Sequence, residues 1–281
     1  MAKFREPSIG RYYSEAPQIT ADGVRSWITR GRNFAVIYSE GEAGAKIADR
    51  FVDEQMVYMV EGRLRITAGE DQAVLDGESL AILPPGTSEI ELLQAGALVQ
   101  IVTDAEAVAG LAPNAATYGD GAPEVTPTQP WPMPVGGYQL RTYALPGYYA
   151  SGGMVNAFRT RKLMVCPYPR FLEPRDETAL TPHAHQDFEQ ASIALEGEWV
   201  HHLRVPWTPN RNDWRPDAHV EVDSPSTTII PAGIVHTSQG IAGEGMRLLD
   251  AFSPPRVDFS QRPGVVRNAD DYPMPAELAV A

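Results

Sequence analysis

The chain carries one pattern twice. Glu54-Gln55, five residues and Glu61-Gly62 recur 135 positions later as Glu189-Gln190, five residues and Glu196-Gly197. A second pair of landmarks, Leu83-Pro84-Pro85-Gly86 and Ile230-Pro231-Ala232-Gly233, is spaced by 147. The difference of 12 residues predicts an insertion in the second copy. It is assigned to 206–218, where Pro206, Trp207, Pro209, Trp214 and Pro216 interrupt the apolar rhythm. Repetition on this scale implies two like domains rather than one large core. The runs around the landmarks are of strand length: Phe34–Tyr38, Met56–Val60 and Leu98–Val102 in the first copy, Lys162–Cys166, Ala191–Leu195 and Trp199–Leu203 in the second. Gly, Pro or Asp bounds each of them. Helical signals are confined to short pieces, 21–30 and 104–111. The expected class is all-β.

Six prolines between 113 and 134 mark an extended connector. The division that follows is a first domain over 1–112, a connector over 113–137 and a second domain over 138–281. A net charge of −13 repels phosphate backbones and anionic membrane surfaces, so nucleic acid and membranes are not expected partners. Cys166 is the only cysteine, which excludes an intramolecular disulfide; it lies in an apolar run and is expected to be a packed thiol. The first residues lack a signal-peptide core, and no run approaches the roughly 18 apolar residues of a membrane span. A soluble cytoplasmic protein is expected.

All six histidines lie between 183 and 236. His183 and His185 are two apart, so on an extended strand they face the same way and one metal ion can take both. His236, after the turn Pro231-Ala232-Gly233, offers a third imidazole from a later strand. His201 and His202 are neighbours, so at most one faces the same interior, and His219 at the edge of the insertion is read as structural. Trp207, Arg211, Trp214 and Arg215 either clamp a small anion over a barrel mouth or form a solvated or subunit-contact loop. Tyr148 and Tyr149 have the same two readings. No phosphate-cradling glycine loop or GxSxG elbow is present.

These motifs resemble the cupin superfamily. His183-Ala-His185, four residues, Gln190, six residues and Gly197 match its first motif, and Pro231-Ala-Gly233-Ile-Val-His236 matches its second. The likeness covers 183–236 directly and reaches about 48–90 through the repeat. It implies two jelly-roll β-barrels in one chain, a bicupin, with one divalent transition metal (Fe, Mn, Ni or Zn) in the second barrel. His183, His185 and His236 would be ligands. Counting from His185 makes Glu189 the fourth, and counting back from Gly197 makes it Gln190; the rigid strand favours Gln190. Glu189, or another carboxylate on the cavity wall, would then move a proton. The offsets put Ala48, Arg50 and Glu89 opposite the three histidines, so the first barrel is expected to be metal-free and structural. The resemblance further implies a small-molecule substrate and a homodimer. It suggests Lewis-acid isomerase or lyase chemistry on a carbonyl or hydroxy acid, with an Fe(II) dioxygenase or a non-catalytic ligand binder as the alternatives.

Overall fold

The apolar runs become strands, and their period of two sorts each strand onto two different cores. In Gln55–Glu61, Val57 and Met59 turn inward to Leu64, Ile66, Ile90 and Leu98, while Met56, Tyr58 and Val60 turn out. The strand Gln190–Arg204 does the same, sending Ala191, Ile193 and Leu195 outward. The two outward sets meet in a single apolar cluster with Val36, Val99, Ile101, Leu249 and Ala251. Two barrels therefore stand back to back on a shared core. This accounts for strands such as Met56–Val60 that read as continuous apolar runs, since both of their faces are dry.

The computed structural model describes residues 4–103, 106–149 and 155–279. The first barrel combines a seven-stranded and a four-stranded antiparallel sheet. The four-stranded sheet alternates between wet and buried positions, as in Arg63–Ala68. The second barrel is built on two long strands, Gln190–Arg204 and Val235–Phe252, paired from end to end. Gly197 sits in their bend at φ +81°, where a Cβ would come within 2.4 Å of Met246 Cγ. Only glycine has both the backbone freedom and the room.

Two strands are exchanged between the halves. Ser8–Gly10 pairs with Ser226–Ile230 of the second barrel, and Arg141–Ala144 pairs with Ser79–Leu83 of the first. Ser8–Gly10, inside 1–112, thus joins a sheet of the second barrel, and Arg141–Ala144, inside 138–281, joins one of the first. The helical reading of 21–30 is also corrected. Ile19–Ala21 and Val24–Arg30 form a hairpin over Asp22-Gly23, both at positive φ, as a two-residue turn of matching twist requires. Of 104–111, Glu106–Ala109 is a short helix, and residues 104 and 105 lie outside the described residues.

The connector is more than a spacer, because it contains the start of a strap that each barrel possesses. Asn114-Ala-Ala-Thr-Tyr118 after the first barrel recurs as Asn268-Ala-Asp-Asp-Tyr272 after the second. Asn114 bonds both backbone groups of Arg30 through its amide, and Asn268 does the same to Arg159. Each strap thus clips a hairpin of its own barrel. Its tyrosine then reaches the other barrel, Tyr118 to Glu189 and Tyr272 to Glu54. Among the described residues no helix is long and apolar enough to cross a membrane.

Candidate metal centre

The second barrel brings three imidazoles to one point. His183 and His236 face each other across a backbone pair, with N–H to C=O distances of 3.0 and 2.8 Å in the two directions. His185 is anchored by its carbonyl, which accepts from Gly233 N at 2.6 Å. The ligating nitrogens of His183, His185 and His236 all lie within 4.8 Å of one another. Gln190 closes the set: its Oε1 lies 3.1 Å from Nε2 of both His185 and His236.

The surroundings orient these rings. His183 Nδ1 donates to Thr181 O at 3.0 Å and His236 Nδ1 to Ile234 O at 2.9 Å, which leaves their Nε2 lone pairs free. His185 stacks on Phe188 at 4.5 Å between ring centres, with Phe252 edge-on. Burial pulls His185 down to about 3 and His236 to about 4, so both stay neutral at ordinary pH. Neutral imidazoles and an amide oxygen converging on one point are mutual acceptors, an arrangement that a cation satisfies. This donor set fits a divalent transition ion.

Glu189 is not part of the centre. Being next to Gln190 on a strand, it faces the opposite way. Its carboxylate accepts from Tyr118 Oη at 2.9 Å and from Arg32 N at 2.6 Å, on the side of the first barrel. Burial raises its pKa, and it lines neither cavity beside the imidazoles. Glu54 is the matching residue of the first copy, accepting from Tyr272 Oη at 2.6 Å. The repeated Glu-Gln pair thus has two jobs: the glutamine points into its barrel, and the glutamate receives the strap tyrosine.

The comparison with the first barrel shifts by one residue. Ala48 and Arg50 are exposed, and Glu89 points outward to Lys46 at 2.8 Å. The inward residues of the same register pair are Asp49 and Ser88. By backbone pairing, Asp49 stands for His183, Ser88 for His236 and Phe51 for His185. The second copy has one residue more between its turn glycine and His236, and a slip of one exchanges the two faces of a strand. Gln55 keeps the place of Gln190 and donates to Ser88 Oγ, while Gln100 donates to Asp49 and to Gln55. The polar groups here are tied to one another, above a floor of packed Leu, Ile and Met.

A cavity of about 240 Å³ opens beside the imidazoles, lined by His183, Gln190 and His236. Asp250 stands on its wall, accepting from Ser192 Oγ at 2.9 Å and Tyr168 Oη at 3.0 Å. Burial raises its carboxyl pKa above the ordinary range. The sequence reading missed Asp250, although a carboxylate inside the apolar run Leu248-Leu249-Asp250-Ala251-Phe252 was a signal. His201 is fully buried behind this wall, its Nδ1 2.8 Å from Ser238 Oγ, and burial pulls it down to about 4. His202 turns away and meets His219 at 2.7 Å. The insertion is spent elsewhere: Trp207 and Trp214 stack on each other at 4.5 Å, and Arg215 pairs with Glu6. Neither these residues nor Arg211 line the cavity. Tyr149 donates to Glu78. Cys166 is buried and apolar in its setting, with its pKa raised.

No family model matches the chain, and no curated protein matches its sequence. Solved structures do match its shape. AerE from Microcystis aeruginosa is 8% identical with a TM-score of 0.55, the match covering 89% of this chain and 98% of that one. The protein Ylba from E. coli gives 11%, a TM-score of 0.60, and coverage of 91% and 94%. The oxalate decarboxylase of Lactobacillus farciminis, solved with formate, gives 12%, a TM-score of 0.57, and coverage of 88% and 86%. Two all-β barrels make up this chain, and these solved structures share that fold.

Proposed function

We propose that the second barrel is a metal-dependent enzyme for a small carbonyl or hydroxy acid, working as an isomerase or lyase. The observation that carries this reading is the meeting of His183, His185, His236 and Gln190 at a cavity whose wall also holds Asp250. A divalent ion held by these four residues supplies Lewis acidity and open positions for substrate oxygens. Fe, Mn, Ni and Zn all suit the donor set. Manganese gains support from Bacillus subtilis oxalate decarboxylase, a fold relative of 11% identity and TM-score 0.55 described with Mn(II) centres.

The chain's own part is proton handling and enclosure. Asp250 is the group placed to take or return a proton, because it lines the cavity beside the imidazoles and burial raises its carboxyl pKa. Ser192 and Tyr168 donate to it, fix its rotamer and steady its charged form. The neutral Gln190 ligand leaves the ion's full charge in place, which favours polarising a substrate over changing oxidation state. Elemental analysis of metal-replete wild type beside His183→Ala and Gln190→Ala tests the reading. One equivalent of metal in the wild type, lost in His183→Ala, is expected. A wild type without stoichiometric metal rejects it, and oxygen uptake with diketone substrates would replace the isomerase by a dioxygenase.

A further inference from the structure

The cavity beside the imidazoles has a chemical polarity of its own. At one end stand His183, Gln190, His236 and Asp250; its walls are Phe171, Trp199 and Leu248. Arg175 also lines it, and among the described residues its side-chain hydrogen bonds run to a carbonyl and a hydroxyl, none to a carboxylate. Arg175 is held in place from behind, donating to Ser238 O at 2.6 Å and to Thr181 Oγ1 at 3.4 Å. An arginine without an acid is an open valence at this site.

We infer that the substrate is a monocarboxylate with a short apolar body, a 2-oxo or 2-hydroxy acid whose carboxylate meets Arg175. The inference rests on the metal reading above and narrows it. A guanidinium fork pairs with a carboxylate in two parallel hydrogen bonds. The volume is that of about eight waters, room for roughly ten non-hydrogen atoms. The hydroxyls of Tyr168, Thr181 and Ser238 also line the cavity but are bonded to Asp250, Arg175 and His201, while Val155, Phe171, Trp199 and Leu248 offer no partners for the hydroxyls of a sugar acid or for a second carboxylate, and burying such groups unpaired is costly. The walls reward carbon instead.

Calorimetric titration with 4-methyl-2-oxopentanoate, oxalate and the methyl ester of the first tests this, on wild type, Arg175→Met and Arg175→Lys of measured metal content. The branched oxo acid is expected to bind wild type about tenfold or more tighter than either oxalate or the ester. Arg175→Met is expected to lose about tenfold or more, Arg175→Lys less, with metal content unchanged in both. Equal binding of oxalate, no binding of the oxo acid, or indifference to Arg175→Met overturns the inference. The titrations are read whatever the metal content, so absence of metal removes the metal reading alone. If Arg175→Met fails to fold, the ester and oxalate comparisons on wild type decide.

Discussion

The two barrels share a plan, a glutamine in the same inward place and the same strap, yet differ in what their inward polar groups bond. In the second, the inward positions hold three imidazoles whose lone pairs point at a common centre. In the first, Asp49, Gln55, Ser88 and Gln100 use up their hydrogen bonds on one another, and Val57, Met59, Ile66 and Ile90 fill the remaining space. The difference teaches that a barrel becomes a site by leaving polar groups unspent. Satisfying them internally, as the first barrel does, converts the same scaffold into packing.

The sharpest way to break the comparison is to remove a ligand. His236→Ala is expected to weaken metal binding by more than about 100-fold in a competition titration against a chelator. The converse exchange, Asp49→His with Ser88→His, leaves the stoichiometry at one, because Phe51 and the apolar floor still occupy the first interior. Next in size comes the packing itself. Ile66→Ala is expected to cost about 3 kcal/mol in denaturant unfolding while the metal equivalent stays at one. A large metal loss there would mean that the barrels are not separate in function.

Proton uptake gives a third test. His201 is held near 4 by burial, below the ordinary 6.5 of the unfolded chain. As the pH falls from about 6.5 to 4 the unfolded chain binds the proton first, so stability is lost over that window. The full contribution is on the order of 3 kcal/mol, and His201→Asn should flatten the stability profile between pH 6.5 and 4. An unchanged profile would show that His201 contributes nothing to it. The smallest effect expected is that of Glu189→Gln, about 1–2 kcal/mol, measured by thermal unfolding with metal content unaltered. Loss of metal in that variant would contradict the outward placement of Glu189.

Much of this was legible in the sequence because strands have a period of two. That period separates Gln190 from Glu189 and puts His183 beside His185. The same property explains the error at Ala48, Arg50 and Glu89: the second copy has one extra residue between His185 and Glu189 and another between Gly233 and His236, and each moved the comparison onto the opposite face. Sequence distance hid the remainder. A three-residue strand such as Ser8–Gly10 gives no hint that its partner is Ser226–Ile230, and the repeat Asn114–Tyr118 and Asn268–Tyr272 is too short and polar to stand out before its bonds are seen. Asp250 had a signal in its apolar run, but Arg175 announces itself only as part of a cavity lining.

The exchanged strands set an order of assembly. On the ribosome the first barrel cannot complete its seven-stranded sheet until Arg141–Ala144 has emerged, well after its own last strand. The segment Ser8–Gly10 is made early and must wait for Ser226–Ile230, more than 200 residues later. A cut between the halves would leave a sheet on each side short of one strand.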